Sequence, residues 1–158
     1  MTTEALFEDF IFETEFRAAD GINSGVQFRS APPNDKVKRV HGYQCEIDPT
    51  PRGLTGGIYE EGRRGWFVPT ANNGEPQVTW AKAHAGIYKF GEWNTLRIEA
   101  RGPLLRTWIN GTLMSEYEDK NSVRIPRGFF GLQVHATTNE KLHGKEVAFR
   151  NLRVQRLE

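Results

Sequence analysis

Apolar and polar residues alternate through much of the chain. From Phe10 the run Phe-Ile-Phe-Glu-Thr-Glu-Phe-Arg sets Phe10, Phe12, Thr14 and Phe16 on one side and Ile11, Glu13, Glu15 and Arg17 on the other. Period two with aromatic enrichment predicts a half-buried strand, because successive side chains on a pleated strand point to opposite faces. Past Asp20-Gly21, a second strand is expected over Gly25–Ser30, with Val26 and Phe28 inward and Gln27 and Arg29 outward. A third, Gly42–Asp48, opposes Tyr43, Cys45 and Ile47 to Gln44, Glu46 and Asp48. Trp93–Ala100 and Leu104–Ile109 repeat the alternation, as does Phe129–His135, where Phe130, Leu132 and Val134 oppose Gly131, Gln133 and His135. Val147–Leu157 supplies the last strand. Asn110-Gly111, between apolar-rich runs, predicts a two-residue hairpin because both residues tolerate positive φ. Asn110-Gly-Thr is also a glycosylation sequon, and the hairpin is the stronger reading.

About ten short strands with frequent turn signals, and no helix longer than a turn or two, predict an all-β sandwich or barrel. The absence of an internal repeat argues against a propeller. Pro69–His84, containing Asn72-Asn73-Gly74 and Pro76, breaks the alternation and reads as a long surface excursion, the kind of loop that often carries function.

Composition narrows the function classes. The 158 residues fit one domain spanning 1–158, and 21 Lys+Arg against 20 Asp+Glu leave a net charge of +1. No basic field is present to attract a phosphate backbone, so nucleic acid is excluded as a partner. Cys45 is the sole cysteine, which excludes an internal disulfide and any zinc site of several thiolates. No run approaches the ~20 apolar residues of a membrane span. The opening Met-Thr-Thr-Glu-Ala-Leu-Phe-Glu-Asp-Phe lacks the basic start and apolar centre of a signal peptide. As written the chain reads as cytoplasmic, and as periplasmic or secreted if a leader has been removed.

If the strands carrying Arg29, Gln44–Asp48 and Gln133–His135 share a sheet, their polar faces bring Arg29, Gln44, Glu46, Asp48, Gln133 and His135 together. Carboxylates, an imidazole and a guanidinium on one surface suit polar-substrate binding and proton transfer. Alternating polar residues also make an ordinary solvated sheet face. The composition tips the balance, since Gln-x-Glu-x-Asp and Gln-x-His lack the Thr, Lys and Ser of a plain solvent face. Glu46 and Asp48 are same-face neighbours roughly 6.5–7 Å apart along the strand, a spacing compatible with glycosidase-like acid pairs. With His135 they are also candidate ligands for a divalent metal ion. His41, His84 and His143 read as solvated loop residues. Trp93 and Trp108 are expected in the core. Trp66 and Trp80 flank the excursion and could form a sugar-stacking wall, with Arg63-Arg64 as a cationic loop beside it.

Several segments together resemble the 3-keto-disaccharide hydrolase-type family, long known only as a domain of unknown function. They are Phe10–Arg17, Asn23-Ser-Gly-Val-Gln-Phe-Arg-Ser, Gly42-Tyr-Gln-Cys-Glu-Ile-Asp, Thr55-Gly-Gly-Ile-Tyr, Glu92-Trp-Asn, Trp108-Ile-Asn-Gly, Gly131-Leu-Gln-Val-His and Phe149-Arg-Asn-Leu-Arg-Val. They stand in the family's order and cover nearly everything from about Phe7 onward. The resemblance implies a concanavalin-like jelly roll of two antiparallel sheets with a ligand groove on the concave face. It implies an enzyme that cleaves glycosides already oxidised to a ketone at C3. Such a ketone acidifies the C2 hydrogen, so a base can form an enolate that expels the group at C1, after which water can add back. On that basis His135 is the first candidate for the base, and Glu46 or Asp48 for an alternative base or the leaving-group acid. Arg29 is the oxyanion partner, with a divalent cation as a possible helper, while Gln44, Gln133, Asn23 and Tyr59 would hold sugar hydroxyls. A non-catalytic, lectin-like carbohydrate-binding module is the competing reading, since fold alone does not set function. A sandwich that binds a protein partner through an apolar patch is a third.

Two departures stand out. Many relatives read Gly-Tyr-Glu-x-Gln-Ile where this chain has Gly-Tyr-Gln-x-Glu-Ile, so acid and amide are exchanged at Gln44 and Glu46, and Val134 replaces the Asp of a Gln-Asp-His run. Family domains also usually carry an earlier stretch with a Gly-Trp motif, missing here. Its loss would uncover a sheet edge that a second copy could cover, so a homodimer is an expectation.

Overall fold

A computed structural model describes residues 2–70 and 75–158. The turn signal Asn72-Asn73-Gly74 lies outside the described residues. Among them are ten strands: β1 (Phe10–Ala18), β2 (Ser24–Ala31), β3 (His41–Ile47), β4 (Ile58–Glu61), β5 (Gly65–Val68), β6 (Asn94–Arg101), β7 (Leu104–Ile109), β8 (Thr112–Glu118), β9 (Phe129–Val134) and β10 (Val147–Arg156). They form two five-stranded antiparallel sheets, ordered β10-β1-β6-β7-β8 and β5-β4-β3-β2-β9. This is the jelly-roll sandwich the alternation and the resemblance called for. Asn110 and Gly111 turn β7 into β8 with φ of 51° and 79°.

The core lies between the sheets and is aromatic. Phe10, Phe12 and Phe16 of β1 face Val26 and Phe28 of β2 and Tyr43, Cys45 and Ile47 of β3, all buried. Phe10 meets Phe28 edge-on at 6.1 Å and Phe130 at 4.6 Å, and Phe28 stacks on Tyr43 at 5.5 Å, geometries that complement the ring quadrupoles. β2 and β3 are buried on both faces, unlike β1, whose outward residues stay partly exposed. The polar side chains of β2 and β3 therefore occupy a covered surface.

Four expectations need correction. The excursion holds a helix, α1 (Glu75–Ala83). Proline in its first turn removes no needed donor, Lys82 complements its C-terminal dipole, and Trp80 packs against the core while Gln77 is buried one turn away. Arg29 does not share the face of Gln44 and Glu46. A register shift interrupts β2 between Phe28 and Ala31, and Arg29 takes φ 46° there. Its buried guanidinium reaches the other sheet's end instead, donating to Glu8 O (2.7 Å), Gly102 O (2.7 Å) and Asp9 Oδ1 (3.0 Å). Trp93 and Trp108 sit half-buried on the outside, under the guanidinium groups of Arg150 and Arg97. His41 is buried at the start of β3, with Nδ1 3.2 Å from Arg39 O.

The outer edge of β9 is partly covered by the chain itself. Thr3 N donates to Phe130 O, and Phe7 and Gly128 exchange backbone hydrogen bonds. That edge therefore gives no separate reason to expect a second copy. No helix among the described residues is long and apolar enough to cross a membrane.

Candidate functional site

Strand register assembles the site. Gln133 of β9 pairs with Gly25 of β2, which pairs with Glu46 of β3. In the next row Gln27, Gln44, Tyr59 and Trp66 follow one another across β2 to β5. Paired residues share a face, so the outer face of this sheet carries amide, carboxyl and aromatic groups in two adjacent rows. Asn23 enters from just before β2, His135 from just after β9, and Asp48, Thr50 and Arg52 from the turn after β3. Together with Glu61 they line a groove of about 420 Å³.

Apart from Arg29, Trp80 and the Arg63-Arg64 loop, the sequence-predicted site residues line this groove: Asn23, Gln44, Glu46, Asp48, Tyr59, Trp66, Gln133 and His135. Trp80 belongs to the core side of α1 and does not line it. Sequence reasoning missed Arg52, Thr50 and Glu61. The Asp-x-x-x-Arg spacing just after β3 is the signal that could have found Arg52, since one turn brings its Nε to Asp48 Oδ2 at 2.9 Å. The Arg63-Arg64 loop is no free cationic surface, because Arg64 is bound to Glu60 and Asp119.

Glu46 is the centre of the groove floor and is 4% exposed. Asn23 Nδ2 donates to its Oε1 at 2.5 Å and Gln44 Nε2 to its Oε2 at 2.8 Å. Burial raises the Glu46 pKa, and the nearby Asp48 charge adds to the rise. The two amide donors and Arg52 oppose it without cancelling it. Gln44 Nε2 also reaches Gln133 Oε1 at 3.2 Å, while Gln44 Oε1 is buried with no partner. Gly25 makes room for this amide: a Cβ there would lie 2.6 Å from the Gln44 Cδ.

Asp48 has a different environment. Its Oδ1 accepts from Thr50 N (3.2 Å) and Thr50 Oγ1 (2.6 Å), and its Oδ2 accepts from Arg52 Nε. This carboxylate is committed to holding the turn and aiming Arg52. His135 is exposed, and its Nδ1 lies 2.7 Å from Ala136 O. With the proton on Nδ1, that contact leaves Nε2 as the basic nitrogen. Tyr59 and Trp66 pack edge-to-face at 5.2 Å, an aromatic wall suited to a sugar face.

The metal expectation does not fit this donor set. Among the described residues no three His, Cys, Asp or Glu side chains gather closely enough to share an ion. Glu46, Asp48 and His135 line one groove without converging.

A 3-keto-alpha-glucoside-1,2-lyase-like domain model matches residues 1–155, so the chain belongs to that family. The family makes it a carbohydrate-related protein. Solved structures repeat the fold at low identity. A carbohydrate-binding module of Bacillus subtilis is 18% identical, with a TM-score of 0.62 over 96% of this chain and 78% of its own. A proposed glycosyl hydrolase of Parabacteroides distasonis is 20% identical, with a TM-score of 0.66 over 99% and 82%. Sheep galectin-11 is 5% identical, with a TM-score of 0.58 over 98% and 96%. No functionally curated protein matches the chain.

Proposed function

We propose that this protein cleaves 3-keto-glycosides by removing the C2 proton and eliminating the group at C1. The carrying observation is a buried carboxyl with a raised pKa, Glu46, sharing one groove with an accessible imidazole, His135, in a chain of this family. His135 Nε2 takes the C2 proton, and the C2–H electron pair becomes the enolate. As the enolate collapses, the C1–O bond breaks and its electron pair leaves on the aglycone oxygen. That oxygen receives the Glu46 proton, giving an unsaturated keto sugar and a free alcohol or phenol. Water added across the new double bond would complete a net hydrolysis.

The two groups divide the work as acid–base catalysis requires: burial favours the protonated carboxyl at Glu46, and His135 offers an accessible imidazole nitrogen. Arg52 replaces Arg29 as the cation near developing negative charge, held at its angle by Asp48. Gln133, Asn23 and Gln44 offer amides to sugar hydroxyls, with Tyr59 and Trp66 alongside. The Tyr59–Trp66 wall would equally serve a module that only binds sugar, so the test must separate the two.

The test is incubation with 4-nitrophenyl 3-keto-glucoside beside the unoxidised glucoside, with and without EDTA. Release of nitrophenol from the keto compound alone, insensitive to EDTA, is the expected result. No release, with sugar binding still measurable by calorimetry, would replace the enzyme with a binding module.

A further inference from the structure

A second cavity, of about 880 Å³, opens beside the groove between α1 and the turn after β3. The two share Asp48, Thr50 and Arg52 as a common wall. We propose that this second cavity is the aglycone subsite and that it selects a flat, largely apolar aromatic group. The inference rests on the reaction proposed above, because it assigns the other half of the same substrate.

A glycoside is a sugar and an aglycone joined through one oxygen. If the sugar lies in the polar groove, that oxygen lies where the two chambers meet, beside Arg52, and the aglycone enters the neighbouring chamber. The two linings differ as the two halves of such a substrate differ. The groove presents amides, acids and an imidazole. The cavity presents Val78, Ala81, Tyr88, Phe90 and Met114. Phe90 is 60% and Val78 46% exposed, so neither serves the core. Apolar side chains left open on a concave surface mark a ligand site more often than a structural need. Tyr88 and Phe90 meet edge-to-face at 4.9 Å, which braces Phe90 as one side of the opening.

A separate observation points to a ligand. Gln77 of α1 lines the cavity, is 6% exposed, and its Nε2 has no hydrogen-bond partner. A buried amide donor left unpaired is a cost that a packed wall does not need to carry. A ring bearing an oxygen acceptor would satisfy it after a small turn of the amide. Lys82 and Arg52 add positive charge to the same lining, and Asp48, the one acid among its described residues, is already paired with Arg52. The cavity therefore favours phenolic or otherwise oxygen-bearing aromatic groups over cationic ones.

Two measurements test this together. The first compares kcat/KM for 2-naphthyl and methyl 3-keto-glucosides in the wild type and in Phe90→Ala and Val78→Asp. Aryl groups leave more readily in any enzyme, so the readout is the change in the aryl-to-methyl ratio, expected to fall roughly tenfold in each variant. Both positions are exposed, and neither substitution should unfold the chain. The second titrates 2-naphthol into the labelled wild-type protein and follows the methyl resonances of Ala81, Ala85 and Met114, all three in the cavity lining, which are expected to shift while groove residues do not. Cleavage of keto-glycosides with an unchanged ratio and unshifted methyls overturns the subsite and leaves the reaction standing. Naphthol seated in the cavity without cleavage of any keto-glycoside supports the aromatic subsite and removes the reaction. Failure of both measurements overturns the subsite.

Discussion

The second sheet carries one cluster of buried charge in its groove and shares another with Asp119 at the end of β8, and the two are built in opposite ways. At one, Arg64 donates to Glu60 Oε2 (2.5 Å) and in bidentate fashion to Asp119 (2.6 and 3.1 Å), and Tyr43 donates its hydroxyl to Asp119. The hydrogen bond to Glu60 raises the Arg64 pKa above its usual value. Burial alone would raise that of Asp119, but Arg64 and Tyr43 outweigh it and the net direction is down. Every charge there is met. At the other, Glu46 has amide donors but no cation bonded to it, its pKa is raised, and Gln44 Oε1 goes unpartnered. One sheet thus supports a closed network, where pairing offsets desolvation, and an open one, where desolvation is left in place. The contrast separates structure from chemistry: a buried carboxyl that holds its proton to higher pH than usual is one that can deliver it to a reacting group.

The largest test breaks the closed network. Arg64→Ala leaves Glu60 and Asp119 buried opposite each other without their shared cation. The expected loss is about 3–5 kcal/mol of unfolding free energy in urea, a large part of the roughly 5–15 kcal/mol of a typical domain. A variant as stable as wild type would show that the network contributes nothing. Breaking the open cluster should do the reverse. His135→Ala removes an exposed side chain whose one hydrogen bond is to the adjacent carbonyl, so stability should change by no more than about 0.5 kcal/mol. Turnover of a 3-keto-glucoside should drop by about 10²–10⁴-fold. Full activity in this variant would remove His135 as the base.

The same contrast explains what could be read from the chain. The sandwich was legible because β1, β6 and β7 bury one face each, which writes period two into the residues. The site was legible for a related reason: Gln44, Glu46, Gln133 and His135 keep the period while carrying unusual chemistry. Arg29 was misplaced because a bulge moves its side chain off the expected face, and nothing local in Phe28-Arg29-Ser30 announces it. Arg52 was missed because it reaches the groove from a turn, through a bond to Asp48 rather than through strand alternation. α1 was hidden by Pro76 and the neighbouring Asn-Asn-Gly, which read as breakers, although Gln77, Trp80 and His84 recur at helical spacing. The family resemblance, not the periodicity, pointed to a keto-sugar substrate.

The smallest effect is the sharpest in sign. Because burial raises the Glu46 pKa in the folded chain, there is a pH range above the ordinary carboxylate value in which the folded protein keeps a proton the unfolded chain has released. Across that range the folded state binds more protons, so wild-type stability falls as pH rises, and the loss is complete once pH passes the raised folded value. Glu46→Gln cannot ionise and escapes this loss. Its carbonyl can still accept from Asn23, and its new amide can donate to Gln44 Oε1 if the Gln44 amide turns over, in exchange for the Gln44 contact with Gln133. The variant should therefore gain on wild type as pH climbs through the window, measured as a growing difference between urea midpoints. It should also lose turnover, because the leaving oxygen has no donor. A difference in midpoints that stays flat with pH would mean Glu46 is not held protonated by the fold, and the open cluster would then be as closed as its neighbour.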